Sequence, residues 1–159
     1  MDVKLRDYLE KHSINYTEYP HKAVFRVSES KTLKKDIPGL HCKCLFLKDN
    51  CDRFYLVAVP ADKRLDISRL RKRLNLKKLH FASEFELLEK IGLKPGSVSI
   101  FGIINDKENQ INFILDGDVW SANAVGFHPN LNTSTLVLLH DDLERFYNSV
   151  KTNKRVMQL

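Results

Sequence analysis

Apolar and polar positions follow two periods along this chain. Over residues 3–12, Leu5, Tyr8, Leu9 and His12 recur at spacings of three and four, which predicts a helix with one apolar face ending near Ser13. Residues 14–27 read as extended, with Tyr16, Tyr19, Val24 and Phe25 as the bulky positions. Ser28 can cap a second helix carrying Leu33 and Ile37, which Pro38-Gly39 stops. Residues 41–47 and 54–59 are short apolar runs on either side of the polar stretch Lys48 to Arg53, which predicts a β-hairpin. A third helix runs on from Asp66, with Ile67, Leu70 and Leu74 inward. Ser83 and Glu86 form a capping box, each side chain bonding the other residue's backbone N–H, and Gly92 closes that fourth helix.

After the Pro95-Gly96 turn, residues 98–104 predict a strand, Asn105-Asp106 a turn, and residues 110–115 a returning strand. Residues 118–126 carry no clear period. Residues 133–139 predict a further strand, and Asp141, with Glu144 three residues on, caps a last helix that buries Leu143, Phe146 and Tyr147. Residues 151–159 are polar and predict a flexible tail. Helices mixed with hairpins, rather than strict β-α alternation, predict an α+β fold: a mixed, mainly antiparallel, partly rolled sheet with flanking helices. The 159 residues suit one domain, 1–159, with one sizeable core.

Composition narrows the functional classes. No apolar run approaches the roughly 20 residues that span a bilayer, and the charged N-terminus is no secretory signal, so a cytoplasmic protein is expected. The three cysteines, Cys42, Cys44 and Cys51, are too few and too oddly numbered for a disulfide framework. His41 and Cys42-Lys43-Cys44 lack the separated second ligand pair of a zinc site, so neither a metal nor another cofactor is expected. The net charge of +6 is compatible with an anionic partner such as nucleic acid, and equally with simple solubility.

Four segments could carry chemistry. On a strand, Lys43 shares a face with Leu45 and Leu47. Such a lysine could aim at a phosphate or a carbonyl; taken alone, it reads rather as an edge-strand lysine snorkelling to solvent. Its charge would favour a thiolate at neighbouring Cys44. Gly96-Ser97-Val98-Ser99 could bring backbone N–H groups close to a ligand, although by itself the segment reads as a connecting loop. His128, Asn130, Asn132 and Thr133 cluster directional hydrogen-bonding groups in what could equally be a turn. The stretch from Lys63 to Lys78 holds Lys63, Arg64, Arg69, Arg71, Lys72, Arg73, Lys77 and Lys78, a density of one sign that tips it toward a nucleic-acid backbone. No Ser-His-Asp arrangement, nucleophile elbow or HExxH motif is readable.

The ordered set of segments resembles a known family. Ala23-Val24-Phe25, Asp36-Ile37-Pro38-Gly39, Lys43 with Leu45 to Asp49, Phe81-Ala82-Ser83, Gly92 to Ser99, Asn105-Asp106, and Phe127-His128-Pro129 with Asn132-Thr133 occur in the order found in the YbaK/prolyl-tRNA-synthetase-associated editing domains. The likeness is greatest to the free-standing Ala-tRNA(Pro) deacylases, the ProXp-ala or PrdX-like branch. The resemblance implies a trans-editing deacylase that hydrolyses the ester of mischarged Ala-tRNA(Pro). It implies Lys43 and His128 as catalytic residues. Substrate would be bound by Phe25, Cys44, Gly96, Ser97, Val98, Ser99 and Asn132, and the tRNA(Pro) acceptor end by Arg69, Lys72, Arg73 and Lys77. Docking on prolyl-tRNA synthetase stays open. Departures bear on specificity: Cys44 stands where asparagine is usual, Arg26 where a small hydroxyl residue is common, and Ile100 and Gly102 where proline and alanine are common. Cys-tRNA(Pro), another small misacylated tRNA, a non-catalytic aminoacyl-tRNA or amino-acid sensor, and a plain basic RNA-binding domain are the alternatives.

Overall fold

The computed structural model describes residues 1–23 and 34–159. Its elements are α1 (Val3–Lys11), β1 (Thr17–Pro20), β2 (Leu40–Asp49), β3 (Phe54–Pro60), α2 (Ile67–Arg73), β4 (Leu79–Phe81), α3 (Glu84–Ile91), a 3-10 helix (Ile100–Asn105), β5 (Asn112–Asp116), α4 (Gly117–Ser121), β6 (Ala124–Phe127), β7 (Ser134–Leu139), α5 (His140–Ser149) and β8 (Lys154–Met157). The strands form one open sheet in the order β1-β7-β6-β2-β3-β5-β8, with β4 beside β2. Four pairings are antiparallel and three parallel among the described residues, so the sheet is mixed and mainly antiparallel, with flanking helices, as the sequence implies.

Both faces of the central strands are buried, which explains their near-continuous apolar runs. On β3, Phe54, Leu56 and Ala58 enter the main core with α1, α3 and α5, whereas Tyr55, Val57 and Val59 enter a second, smaller core with Leu70 of α2. The long strand β2 divides likewise. Cys44 and Phe46 point into the main core, and Leu45 and Leu47 into the smaller one.

Locally signalled features form as expected. Ser83 and Glu86 make the reciprocal capping box, Gly92 ends α3 at φ 68°, and Asp66 caps α2 by accepting from the Arg69 N–H. Three expectations fail. Residues 98–104 are not a strand: a loop leads to Ser99, whose hydroxyl accepts from the Phe101 N–H and starts the 3-10 helix. An unbroken apolar run fits a buried helical turn as well as a strand. Residues 151–159 are not a free tail, because β8 pairs in parallel with β5. Polar side chains suit that edge, and Lys154 donates to the carbonyls of Tyr147 and Val150 at the C-terminal end of α5. Asp141 does not cap α5, which begins after Leu139 with no side-chain cap. Asp142 is the buried carboxylate instead, accepting from the Asn15 N–H at 2.8 Å and from Arg145 at 2.9 Å. Most of the segment expected as a helix from Ser28, and Phe25, lie outside the described residues.

Candidate active site

The site grows from the alternation of β2. Lys43 lies opposite Val59 of β3 and on the face away from the main core, half-buried, with Leu45 beyond it. On the other side of β2, β6 pairs only with Leu40 and His41, and β4 only with Leu47 to Asp49. Residues 42–46 therefore have no strand on that side among the described residues, which leaves a window in the sheet next to Lys43. A cavity of about 620 Å³ opens there, lined by Lys43, Leu45, Arg64, Leu65, Asp66, Ile67 and Phe81. Its wall is the N-terminal approach to α2, held by the Asp66 cap.

His128 follows β6. The parallel register sets Leu40 against Val125 and His41 against Gly126 and ends there, so His128 lies just beyond the paired segment and is not among the residues lining the Lys43 cavity. The His128 ring bonds the Ser134 carbonyl at 3.1 Å. A carbonyl only accepts, so Nδ1 carries the proton and Nε2 is the acceptor. Burial, the nearby Lys34 ammonium and His21 push its pKa down to about 4, so the ring is neutral at neutral pH. Lys34 is itself buried, which brings its pKa down to about 8. His21 stands 6.0 Å from His128 between ring centroids, and its ring bonds the Thr135 hydroxyl at 3.0 Å and the Lys22 carbonyl at 2.7 Å. Asn130 adopts φ 63° and buries both polar atoms of its side chain without a partner among the described residues. Asn132 is half-buried in the turn that follows.

The remaining expected residues are distributed more widely. Cys44 points away from Lys43, into the main core, where its sulfur meets the Ile100 N–H. Burial raises its thiol pKa well above the ordinary value, so the expected low-pKa thiolate does not arise. Gly96, at φ 85°, turns the loop that reaches β2 through this contact. Ser97 donates its N–H to the Lys94 carbonyl at 3.0 Å, and the Ser99 hydroxyl is taken by its capping bond. Ser97 and Val98 are half-buried, and none of residues 96–99 lines the Lys43 cavity.

The basic stretch splits in two. Lys63 pairs with Asp116 at 2.7 Å and Asp118 at 3.1 Å, Arg71 donates to the Leu76 carbonyl, and Arg73 donates to the Gln158 carbonyl, so these three cations brace the fold. Arg64, Arg69, Lys72, Lys77 and Lys78 are exposed. Arg64 and Arg69 also border a smaller recess of about 150 Å³ beside the main cavity. Sequence reasoning missed Phe81 as a cavity residue. It is brought there by the nonlocal β4–β2 pairing, which no local pattern announces.

Among the described residues, no helix is long and apolar enough to cross a membrane. The family model of the aminoacyl-tRNA editing domain matches residues 21–146. The chain is 34% identical over 146 residues to the prolyl-tRNA editing protein ProX of Acetoanaerobium sticklandii, covering 91% of this chain and 87% of that one. It is 32% identical over 145 residues to prolyl-tRNA synthetase associated domain-containing protein 1 of Danio rerio, covering 90% and 79%. In fold it is similar to the crystal structure of a candidate trans-editing enzyme for prolyl tRNA synthetase, with TM-score 0.76, 17% identity, and coverage of 100% and 98%. It is also similar to the hypothetical protein APE2540, with TM-score 0.74, 18% identity, and coverage of 95% and 97%. With the family model spanning most of its length and relatives above 30% identity along nine-tenths of it, the chain belongs to the aminoacyl-tRNA editing domain family.

Proposed function

We propose that this protein is a trans-editing deacylase that hydrolyses the ester joining alanine to the terminal ribose of tRNA(Pro). The observation that carries this reading is Lys43: a cation on the outer face of a central strand, opening into a cavity beside a gap in the sheet. Membership of the editing family, and a relative named for prolyl-tRNA editing, support the substrate class.

In the proposed reaction a water oxygen adds to the ester carbonyl carbon, the bond to the ribose oxygen breaks, and that oxygen leaves with a proton. Lys43 holds the terminal phosphate or polarises the carbonyl as negative charge develops on its oxygen. The 96–99 loop, which does not line the cavity, contributes by supporting β2 from the main-core side. Neutral His128 offers Nε2 as an acceptor that orients the attacking water or the adenosine, with Asn132 beside it. The exposed Arg69, Lys72 and Lys77 meet the acceptor stem of the tRNA, whose phosphates dominate binding. Arg73 is exposed as well and gives one guanidinium N–H to the Gln158 carbonyl, which leaves its other donors for a phosphate. Specificity is a matter of size. A synthetase pocket built for proline excludes alanine by only about 1–3 kcal/mol, and a second, smaller site that refuses proline supplies the rest.

The test is deacylation of Ala-, Cys-, Ser- and Pro-tRNA(Pro) side by side. Alanine should be released fastest and proline spared. Lys43→Ala should abolish turnover while leaving the urea midpoint unchanged. Full activity in that variant would overturn the assignment of Lys43. Faster release of cysteine would move the substrate, and binding without turnover would make the protein a sensor.

A further inference from the structure

We infer that Phe81 is the stacking platform for an unpaired base at the 3′ end of the RNA; the inference rests on the function just proposed and adds a positioning residue to it. Phe81 is 58% exposed although it lies in a strand, an unusual loss of apolar burial for a side chain of that size. Its placement is fixed. It ends β4 opposite Leu47, and opposite residues of antiparallel strands share a face, so its ring is on the same side as Lys43 and Leu45. Lys43 is four residues from Leu47 along β2, or roughly 13 Å at about 3.3 Å per residue. The same cavity touches both, with Leu45 between them and Arg64 in the facing wall.

An apolar ring at one end of an open groove and cations along it are the elements of a single-stranded nucleic-acid site. The base takes the π-face and the backbone takes the charges, without sequence-specific hydrogen bonds. A purely apolar ligand would leave Lys43 and Arg64 unused, and a free phosphate would leave Phe81 unused. An unpaired nucleotide uses all three. A protein partner docking on Phe81 with the exposed Phe85 and Leu88 of α3 is the competing use of this surface.

The experiment measures binding rather than hydrolysis, using an uncharged RNA hairpin that ends in unpaired CCA, and the same hairpin with its last nucleotide abasic or its penultimate one abasic. Wild-type protein should lose about 5- to 140-fold in affinity for one of the two abasic forms, the equivalent of one stacked base at about 1–3 kcal/mol. Phe81→Leu should bind the intact hairpin as weakly as that abasic one and lose the discrimination. Phe81→Trp should keep it, which a merely structural role for the ring would not require. Equal discrimination by Phe81→Leu and wild type would overturn the inference and leave the deacylase reading standing, pointing to the protein-docking use. Absence of any hairpin binding by the wild type would overturn both.

Discussion

Asp49 braces the turn between β3 and β2, the strand that carries Lys43, and its removal has a calculable cost. The carboxylate is 1% exposed and ends β2. It accepts four hydrogen bonds, from the N–H of Cys51 at 2.8 Å, the N–H of Arg53 at 3.0 Å, the Arg53 guanidinium at 2.7 Å and the Tyr55 hydroxyl at 2.8 Å. In Asp49→Ala the two turn N–H groups can turn to water, because Cys51 and Arg53 are exposed. The Tyr55 hydroxyl cannot, since Tyr55 is 5% exposed. One stranded hydroxyl at about 1–3 kcal/mol and the lost turn bonds at about 1 kcal/mol together predict a loss of about 2–4 kcal/mol. Urea unfolding at neutral pH reads this as a lower midpoint at constant slope. The pH dependence is a second readout. Burial pushes the Asp49 carboxyl pKa up, but the bonds from Arg53, Tyr55 and Cys51 outweigh it and hold the carboxyl below its ordinary value. Its stabilising contribution is therefore complete above the unfolded value near 3.9 and disappears as pH falls through the lower folded one. Asp49→Asn should flatten that acid limb. A loss below about 0.5 kcal/mol at pH 7, inside the range of ordinary surface substitutions, would refute the reasoning. The hairpin register is what is at stake, because a one-residue slip would turn Lys43 into the main core.

Other expectations follow from the same packing. Gly102→Ala should destabilise by about 1–3 kcal/mol in urea, because the new methyl would sit 2.7 Å from Leu93 Cδ1 and 3.2 Å from Ile91 Cδ1; an unchanged midpoint would mean that these side chains yield freely. Deleting residues 154–159 strips β5 of its parallel partner and should cost about 3–5 kcal/mol, taking four ladder positions at about 1 kcal/mol each; thermal unfolding at the wild-type temperature would show that β8 adds nothing. The depressed pKa of His128, about 4, means the folded chain refuses a proton that the unfolded chain accepts below about 6.5. Stability should therefore fall as pH drops from 6.5 toward 4, and His128→Gln should remove that part of the fall; parallel stability–pH curves would disprove the burial argument.

The features legible in the sequence are those whose causes are local. The capping box at Ser83 and Glu86, the αL cap at Gly92 and the Asp66 cap each need only a few neighbouring residues. The β2–β3 hairpin is legible because two apolar runs flank a short polar turn. The 3-10 helix at Ile100–Asn105 is not, because a run buried all round loses the period that separates helix from strand. The strand β8 is hidden because its reason to exist is β5, some 40 residues upstream. Lys43 and His128 stand out by resemblance, but that the strands leading to them run side by side follows only from the β2–β6 pairing. Cys44 illustrates the converse. Its sequence neighbour is Lys43, yet pleating sends the two side chains to opposite sides of the sheet.

That division of β2 has a bearing on how the protein can change. Cys44 and Phe46 answer to the main core, whereas Lys43 answers to the cavity and Leu45 to both the cavity and the smaller core. Inheritance can therefore explore one set of positions without disturbing the other. A library randomised at positions 43 and 81 should yield mostly folded proteins with altered chemistry, whereas one randomised at 44 and 46 should yield mostly unfolded ones. A strand read in two alternating registers lets substrate preference drift while the scaffold stays under separate selection.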